Sequence, residues 1–445
     1  MTMLQKSELI EIFTHQSKPR SEWKIGVEFE RFAFNKKTLK PLPFSGPVST
    51  TALLQKLIEK YNWQAVYEGG NIVALRRETQ SITLEPGGAV ELSGATLPSV
   101  HHCCKSVSTH MRETEDVGNE LDIGFLTLGF DPKWDRSDFT WVPKKRYDIM
   151  RNYMPRVGDM GIDMMLRTAT VQVNLDYESE SDMIQKTRIG LALQPIIGAM
   201  FSNSPFKNGG LNQFQSYRNH VWLHTDPART GNLPFMFDSD SGFEKYADYL
   251  LDVPMYFVIR NGQYIDASGQ SFRDFMAGKL PALPGEFATV EDWKNHITCV
   301  FPIVRLKPWI EMRGADGGSW EYLCALPALW TGLLYDADAQ LAMTDLIKNW
   351  TADERRSLHL DTPKMGLHTK FQGGTVIDIA RQIVNIAEHG LKRRDFRDKN
   401  GADETYFLNP LKEILQSGKT QSDLLIEKLN GEWGGKIDQL FNDQN

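Results

Sequence analysis

Cysteine is scarce in this chain. Cys103, Cys104, Cys299 and Cys324 are all that occur among 445 residues, which excludes a disulfide scaffold and fits a reducing compartment. No apolar run approaches the roughly 18 residues of a membrane span. The N-terminus has no stretch resembling a signal peptide, and Glu8 and Glu11 argue against a transit peptide, a segment poor in acidic residues. A cytoplasmic protein is therefore expected. Positive charge is not in excess either. With 57 acidic against 50 basic residues the net charge is −7, which gives no basic footprint for nucleic acid or an anionic membrane. Linkers rich in Ser or Gly, internal repeats and low-complexity segments are also missing. An acidic protein of ordinary hydrophobic content, 41%, must grip any anionic substrate with local arginines or with metal ions.

What the chain does have is a repeated arrangement of carboxylates on strands. In Gly26-Val27-Glu28-Phe29-Glu30-Arg31 the alternation puts Val27 and Phe29 on one face and Glu28 and Glu30 on the other, roughly 6–7 Å apart. Alone, this would read more readily as an edge strand with a solvated acidic face. Three later stretches repeat the layout. Ser81 to Glu85, the turn Pro86-Gly87-Gly88 and Ala89 to Ser93 predict a hairpin, with Glu85 and Glu91 set almost opposite each other across the ladder. Thr168 to Leu175 places Val171, Val173 and Leu175 on one side and Thr170, Gln172 and Asn174 on the other. Trp309 to Arg313 opposes Ile310 and Met312 to Glu311 and Arg313. Four such strands suggest one antiparallel sheet whose polar face lines a site. Like charges on one face repel unless something positive lies between them.

The remaining pattern predicts an α+β protein. Helical spacing occurs at Ser7–Phe13, Thr51–Tyr61, Leu97–Val117 and Tyr147–Met154. It continues at Thr187–Met200, where Pro195 is expected to interrupt it, and then through a mainly helical part from Ala325 onward. Phe125 to Phe130 reads as a strand, and Asn261-Gly262 marks a hairpin turn. Arg218 and Arg229 fall in non-periodic sequence and are expected on loops, where an arginine can grip a carboxylate or phosphate in a two-pronged way. Gly314 to Gly318 is a possible phosphate cradle. His101-His102-Cys103-Cys104 lacks metal-ligand spacing and reads as helix with buried thiols. The simplest division is one catalytic domain over 1–445, with a sheet-containing core at 22–324 and a helical part at 325–445 packed on it.

The strings Gly-Val-Glu-Phe-Glu-Arg, Leu-Glu-Pro-Gly-Gly-Ala-Val-Glu-Leu-Ser-Gly-Ala, Arg-Thr-Ala-Thr-Val-Gln-Val-Asn, Ser-Tyr-Arg and Glu-Met-Arg-Gly-Ala-Asp-Gly-Gly resemble the plant-type glutamate–cysteine ligases, which also occur in proteobacteria. The resemblance runs in order from about Trp23 to Leu391. It implies a glutamine-synthetase-like fold, in which a curved antiparallel sheet lines the active site. It implies the ATP-dependent joining of L-glutamate to L-cysteine through a γ-glutamyl phosphate, the first step of glutathione synthesis. It implies two or three Mg²⁺ ions on Glu28, Glu30, Glu85, Glu91 and Glu311, with Gln172 as a weaker ligand and Asn174 sharing its work. Arg313 would steady the phosphoryl group in transit, and Arg305 and Lys307 would meet ATP phosphates. Arg167, Arg218 and Arg229 would meet the amino-acid carboxylates. Plant members are redox-regulated through disulfides. Cys324 lies in the matching Leu-Cys-Ala-Leu-Pro motif, with no partner identified by spacing, and a buried free thiol is the simpler reading. Either a monomer or a homodimer is compatible with the sequence. Two rivals remain: a sister ligase with another amine acceptor, and a non-catalytic nucleotide- or metal-binding protein on the same fold.

Overall fold

The alternating stretches do join into one sheet. The computed structural model describes residues 4–443. Within them nine strands pair: β1 (Ile25–Asn35), β2 (Gln64–Glu68), β3 (Asn71–Arg77), β4 (Gln80–Leu84), β5 (Val90–Ser93), β6 (Ile123–Leu126), β7 (Thr170–Leu175), β8 (Val304–Leu306) and β9 (Ile310–Asp316). The order is β8-β9-β7-β1-β5-β4-β3-β2, and β6 pairs with the far end of β1. Every pairing in this sheet is antiparallel. Val27, Phe29, Ile82, Leu84, Val90, Leu92, Val171, Val173, Ile310 and Met312 are all buried, so each strand turns its apolar row toward the core.

The helices that frame the site are α1 (Val100–Leu121), α2 (Lys145–Tyr153), α3 (Glu180–Met200), α4 (Tyr217–Leu223), α5 (Trp320–Leu334), α6 (Ala352–Met365), α7 (Val376–Arg394) and α8 (Gln421–Asn430). Helices α1 and α5 pack behind β1, α5 also reaches β7, and α3 covers β9. Helix α7 packs on α5, so the C-terminal helices share one buried core with the sheet. The Cys103 and Cys104 thiols are buried on α1, and Cys104 lies against Cys324 of α5.

Several expectations are corrected. Helix α3 is continuous, and Pro195 sits inside it. Its C-terminal half is buried on every side, and that packing outweighs the one hydrogen bond a proline forfeits. Arg218 is on a helix, not a loop: α4 is seven residues long, capped by Ser216 accepting from the Asn219 amide, and is too short to show a period. Helix α6 gave no signal because only Leu358, Thr362 and Pro363 of its residues are buried. Gly314 to Gly318 is not a phosphate cradle. Gly314 to Asp316 complete β9, and Gly317 packs against the Leu128 carbonyl.

The Pro86-Gly87-Gly88 turn is fixed by close packing. A Cβ on Gly87 would overlap the Leu166 carbonyl oxygen and α-carbon. Gly87→Ala should therefore push the hairpin off Leu166 and cost roughly 1–3 kcal/mol by overpacking. A thermal midpoint unchanged from the parent protein would show that this turn has slack.

Candidate active site

The registers put the carboxylates side by side. Glu30 of β1 faces Glu91 of β5, and Glu28 faces Ser93 on one side and Gln172 of β7 on the other. Glu91 pairs across the hairpin with Thr83, which corrects the expected Glu85–Glu91 pairing: Glu85 stands beyond the last ladder pair, its amide bonded to the Ala89 carbonyl. Glu28, Glu30, Glu85 and Glu91 line the floor of one cavity of about 310 Å³. Glu28 is steadied by Asn174, whose Nδ2 donates to Oε1 at 2.8 Å. That reach depends on Gly26, the ladder partner of Asn174, because a Cβ there would stand 3.1 Å from the Asn174 Cβ. Glu30 Oε2 accepts from the Thr170 amide at 3.1 Å.

This floor is short of positive charge. Burial, then repulsion from Glu311 and Glu91, raises Glu28 to about 6. Burial and then Glu85 raise Glu91 to about 7. Burial, Glu85 and Glu91 push Glu30 well above the usual carboxylate range, against the pull of Arg218 and Arg313. Among the described residues no three His, Cys, Asp or Glu side chains close around one point to enclose a metal. The donors on this floor are all carboxylate oxygens, the hard ligand type that Mg²⁺ takes one or two at a time while completing its shell with water and substrate phosphates.

Beside the floor stands a cationic wall built on one buried carboxylate. Glu311 is fully buried, and Arg305 Nε meets its Oε2 at 2.6 Å while a second guanidinium nitrogen meets Oε1 at 3.0 Å. Lys307 Nζ lies 2.8 Å from Oε1, and Arg313 lies 2.8 Å from Oε2. Burial alone would push the Glu311 carboxyl above the usual carboxylate range, yet these three cations hold it well below that range. Arg313 also donates to Gln172 Oε1 at 2.6 Å. Glu311 and Gln172, both expected as metal ligands, are thus engaged with arginine. Arg218 donates to the Arg313 carbonyl at 2.9 Å and lines the same cavity.

Two expected arginines lie elsewhere. Arg167 is buried between Asp131 and Asp163. Arg229 is buried against Asp226, with the Cys299 and Pro254 carbonyls taking its other nitrogens. Neither lines the cavity, because each already has a full set of structural partners. Arg146, which was not singled out from the sequence, does line it, and its buried Nε has no partner. The signal was present as Lys144-Lys145-Arg146, a basic run at the start of α2 in an acidic protein. Trp222, one turn beyond Arg218 on α4, also faces the cavity, with an unpaired indole nitrogen.

The family model described as Glutamate-cysteine ligase family 2 matches residues 24–443. The chain belongs to this family. It is 50% identical over 438 residues to the chloroplastic glutamate–cysteine ligase of Brassica juncea, covering 98% of this chain and 84% of that protein. It is also 50% identical to the enzyme of Arabidopsis thaliana, with 98% and 82% covered. The fold is similar to that of a glutamate–cysteine ligase from Francisella tularensis solved with AMP. The TM-score is 0.58 at 13% identity, with 95% of this chain and 87% of that one covered. The expectation of a cytoplasmic protein is corrected here. The plant relatives are named chloroplastic, and that finding overturns it. Among the described residues no helix is long and apolar enough to cross a membrane.

The raised carboxylates make a signed prediction. The native floor holds protons that the unfolded chain, with carboxyls near 4.5, has released by about pH 6 to 7. Unfolding free energy therefore falls as pH rises through that window. Metal-free protein should melt at a higher temperature at the acid end of the window than above it, and Glu91→Gln should flatten the difference. Equal midpoints in the parent protein would mean that the floor is already neutralised.

Proposed function

We propose that the protein is an ATP-dependent glutamate–cysteine ligase, joining the γ-carboxylate of L-glutamate to the amine of L-cysteine in the first step of glutathione synthesis. The observation that carries this reading is the facing of an acidic floor by a cationic wall across one cavity, in a chain that matches the family from residue 24 to 443. Residues 1–445 are read as one catalytic unit.

A carboxylate is a poor acyl donor because its leaving group would be oxide. Phosphorylation repairs this. A γ-carboxylate oxygen attacks the γ-phosphorus of ATP, the bond to ADP breaks, and γ-glutamyl phosphate forms. The cysteine nitrogen then attacks the acyl carbon, phosphate departs with the bonding pair, and the amine loses a proton. Joining an anion to a triphosphate requires fixed positive charge where negative charge gathers. Arg313, oriented by Glu311 and Gln172, would stabilise the phosphoryl group in transit. Lys307 and Arg305 would hold ATP phosphates. Glu311 acts here as a positioning residue for these three cations. Arg218 and Arg146 would take the amino-acid carboxylates in place of Arg167 and Arg229, and the unpaired Arg146 Nε supports this. Glu28, Glu30, Glu85 and Glu91 would hold Mg²⁺, which supplies further positive charge to the triphosphate.

The direct test is ADP release from purified protein with Mg·ATP and glutamate, with and without cysteine. ADP that appears only with cysteine, alongside a product of γ-glutamylcysteine mass, is the expected result. Turnover with a different amine and not cysteine would make the chain a sister ligase, and silence with every amine would favour a binding role. Arg313→Ala should lower kcat chiefly, about a hundredfold or more for loss of a preorganised transition-state contact; a change confined to KM would contradict its role. Glu30→Gln should remove turnover yet keep or raise the melting temperature, since it relieves repulsion with Glu91. Loss of folding in that variant would make Glu30 structural.

A further inference from the structure

A second cavity, of about 540 Å³, lies on the reverse of β1 from the acidic floor. It opens between α1, β6, the start of α5 and α8. Arg31 is at its base. It follows Glu30 on β1, so alternation turns its side chain to the opposite face. Arg31 is 1% exposed. Its guanidinium lies 4.4 Å from the Phe125 ring centre and donates to Thr114 Oγ1. Its only carboxylate partner among the ion pairs of the described residues is Glu115, at 3.3 Å and itself 52% exposed. The buried Arg31 Nε has no partner, and neither has the buried Gln421 Nε2 on the same cavity.

A buried guanidinium is normally matched by a well-placed anion, and a buried donor by an acceptor. Here Glu115 meets the guanidinium from one side only, two buried donors on one cavity lack acceptors, and part of the lining is aromatic: Phe125, Trp320 and Tyr322. Overall the lining sets three cations, Arg31, Lys36 and Lys428, against two carboxylates, Glu115 and Asp443. A water would satisfy a donor but would not cover the aromatic surface. None of these residues belongs to the ligase cavity.

We propose that this cavity is a second binding site, selective for a small molecule with an oxyanion, carboxylate or phosphate, attached to a flat apolar body. The oxyanion meets Arg31 and Gln421, and the apolar body lies against Trp320 and Tyr322. Such an occupant would touch the same strand as Glu28 and Glu30, from behind.

The test uses the full chain saturated with L-glutamate and Mg·ADP, so that the ligase cavity is filled. Binding of 3-phenylpropionate, phenyl phosphate, 3-phenylpropan-1-ol and inorganic phosphate is then measured by calorimetry. At least one aryl anion should bind with one site per chain, and the alcohol about tenfold more weakly or worse, as expected for loss of a charge-assisted hydrogen bond. Which aryl anion is preferred distinguishes carboxylate from phosphate. Arg31→Gln should erase the preference for anion over alcohol. Leu424→Glu, at a rim position 46% exposed, should weaken the aryl anion about tenfold by like-charge repulsion and leave ADP formation unchanged; this variant carries the test if Arg31→Gln fails to fold. Equal binding of acid and alcohol, inorganic phosphate binding as tightly as the aryl anions, or indifference to Leu424→Glu would each overturn the proposal.

Discussion

Like charge confined to one face of a sheet is the constraint on which the rest of this structure depends. Glu30 and Glu91 are ladder partners on adjacent strands, an arrangement that repels. The strands hold it because their other faces are anchored: Val27, Phe29, Val90 and Leu92 are buried beneath the same residues that repel above. Apolar burial distributed over a whole sheet secures a local arrangement that its own electrostatics oppose. Arg218 and Arg313 relieve Glu30 only in part, and the remaining repulsion is carried by the packing beneath.

The same side chain does opposite work a few ångströms away. Glu311 is as acidic in kind as Glu28, but three cations converge on it and none is shared out to the floor by a direct ion pair. Its charge is consumed in holding Arg305, Lys307 and Arg313 in one orientation. Preorganised cations need no rearrangement at the moment of reaction, which is where electrostatic catalysis gains its advantage over water. The site is thus divided into a region with unmet negative charge and a region of aligned positive charge.

The strands and the identity of the floor were legible in the sequence because period two needs no tertiary information. Glu28, Glu30, Glu85 and Glu91 could be placed on one face from alternation alone. The fate of the arginines could not. Whether Arg167 or Arg146 faces the cavity depends on where Asp131 comes to lie, a contact between separate segments of the chain, to which Asp163, one helical turn from Arg167, only adds. Glu311 looked like its fellow glutamates for the same reason, since its partners Arg305 and Lys307 sit on the neighbouring strand and turn. Helices α4 and α6 escaped because one is shorter than two full periods of apolar spacing and the other buries too few residues to show one.

One irregularity in β9 sets a rhythm of its own. Met312 faces Val173 and Ala315 faces Val171, so the register slips between them. The freed Gly314 amide is taken by Gln194 Oε1 of α3 at 3.1 Å. Across this bulge the strand changes phase. Met312 and Ala315, an odd number of residues apart, both point into the core, which carries Asp316 to the same side as Arg313. There the Asp316 carboxylate accepts from Ser216, the residue that caps the helix bearing Arg218. The bulge is thus a half-step in the strand that lets one segment serve the cationic wall and the seat of the arginine opposite it. Removing one residue there would restore perfect alternation and uncouple the two.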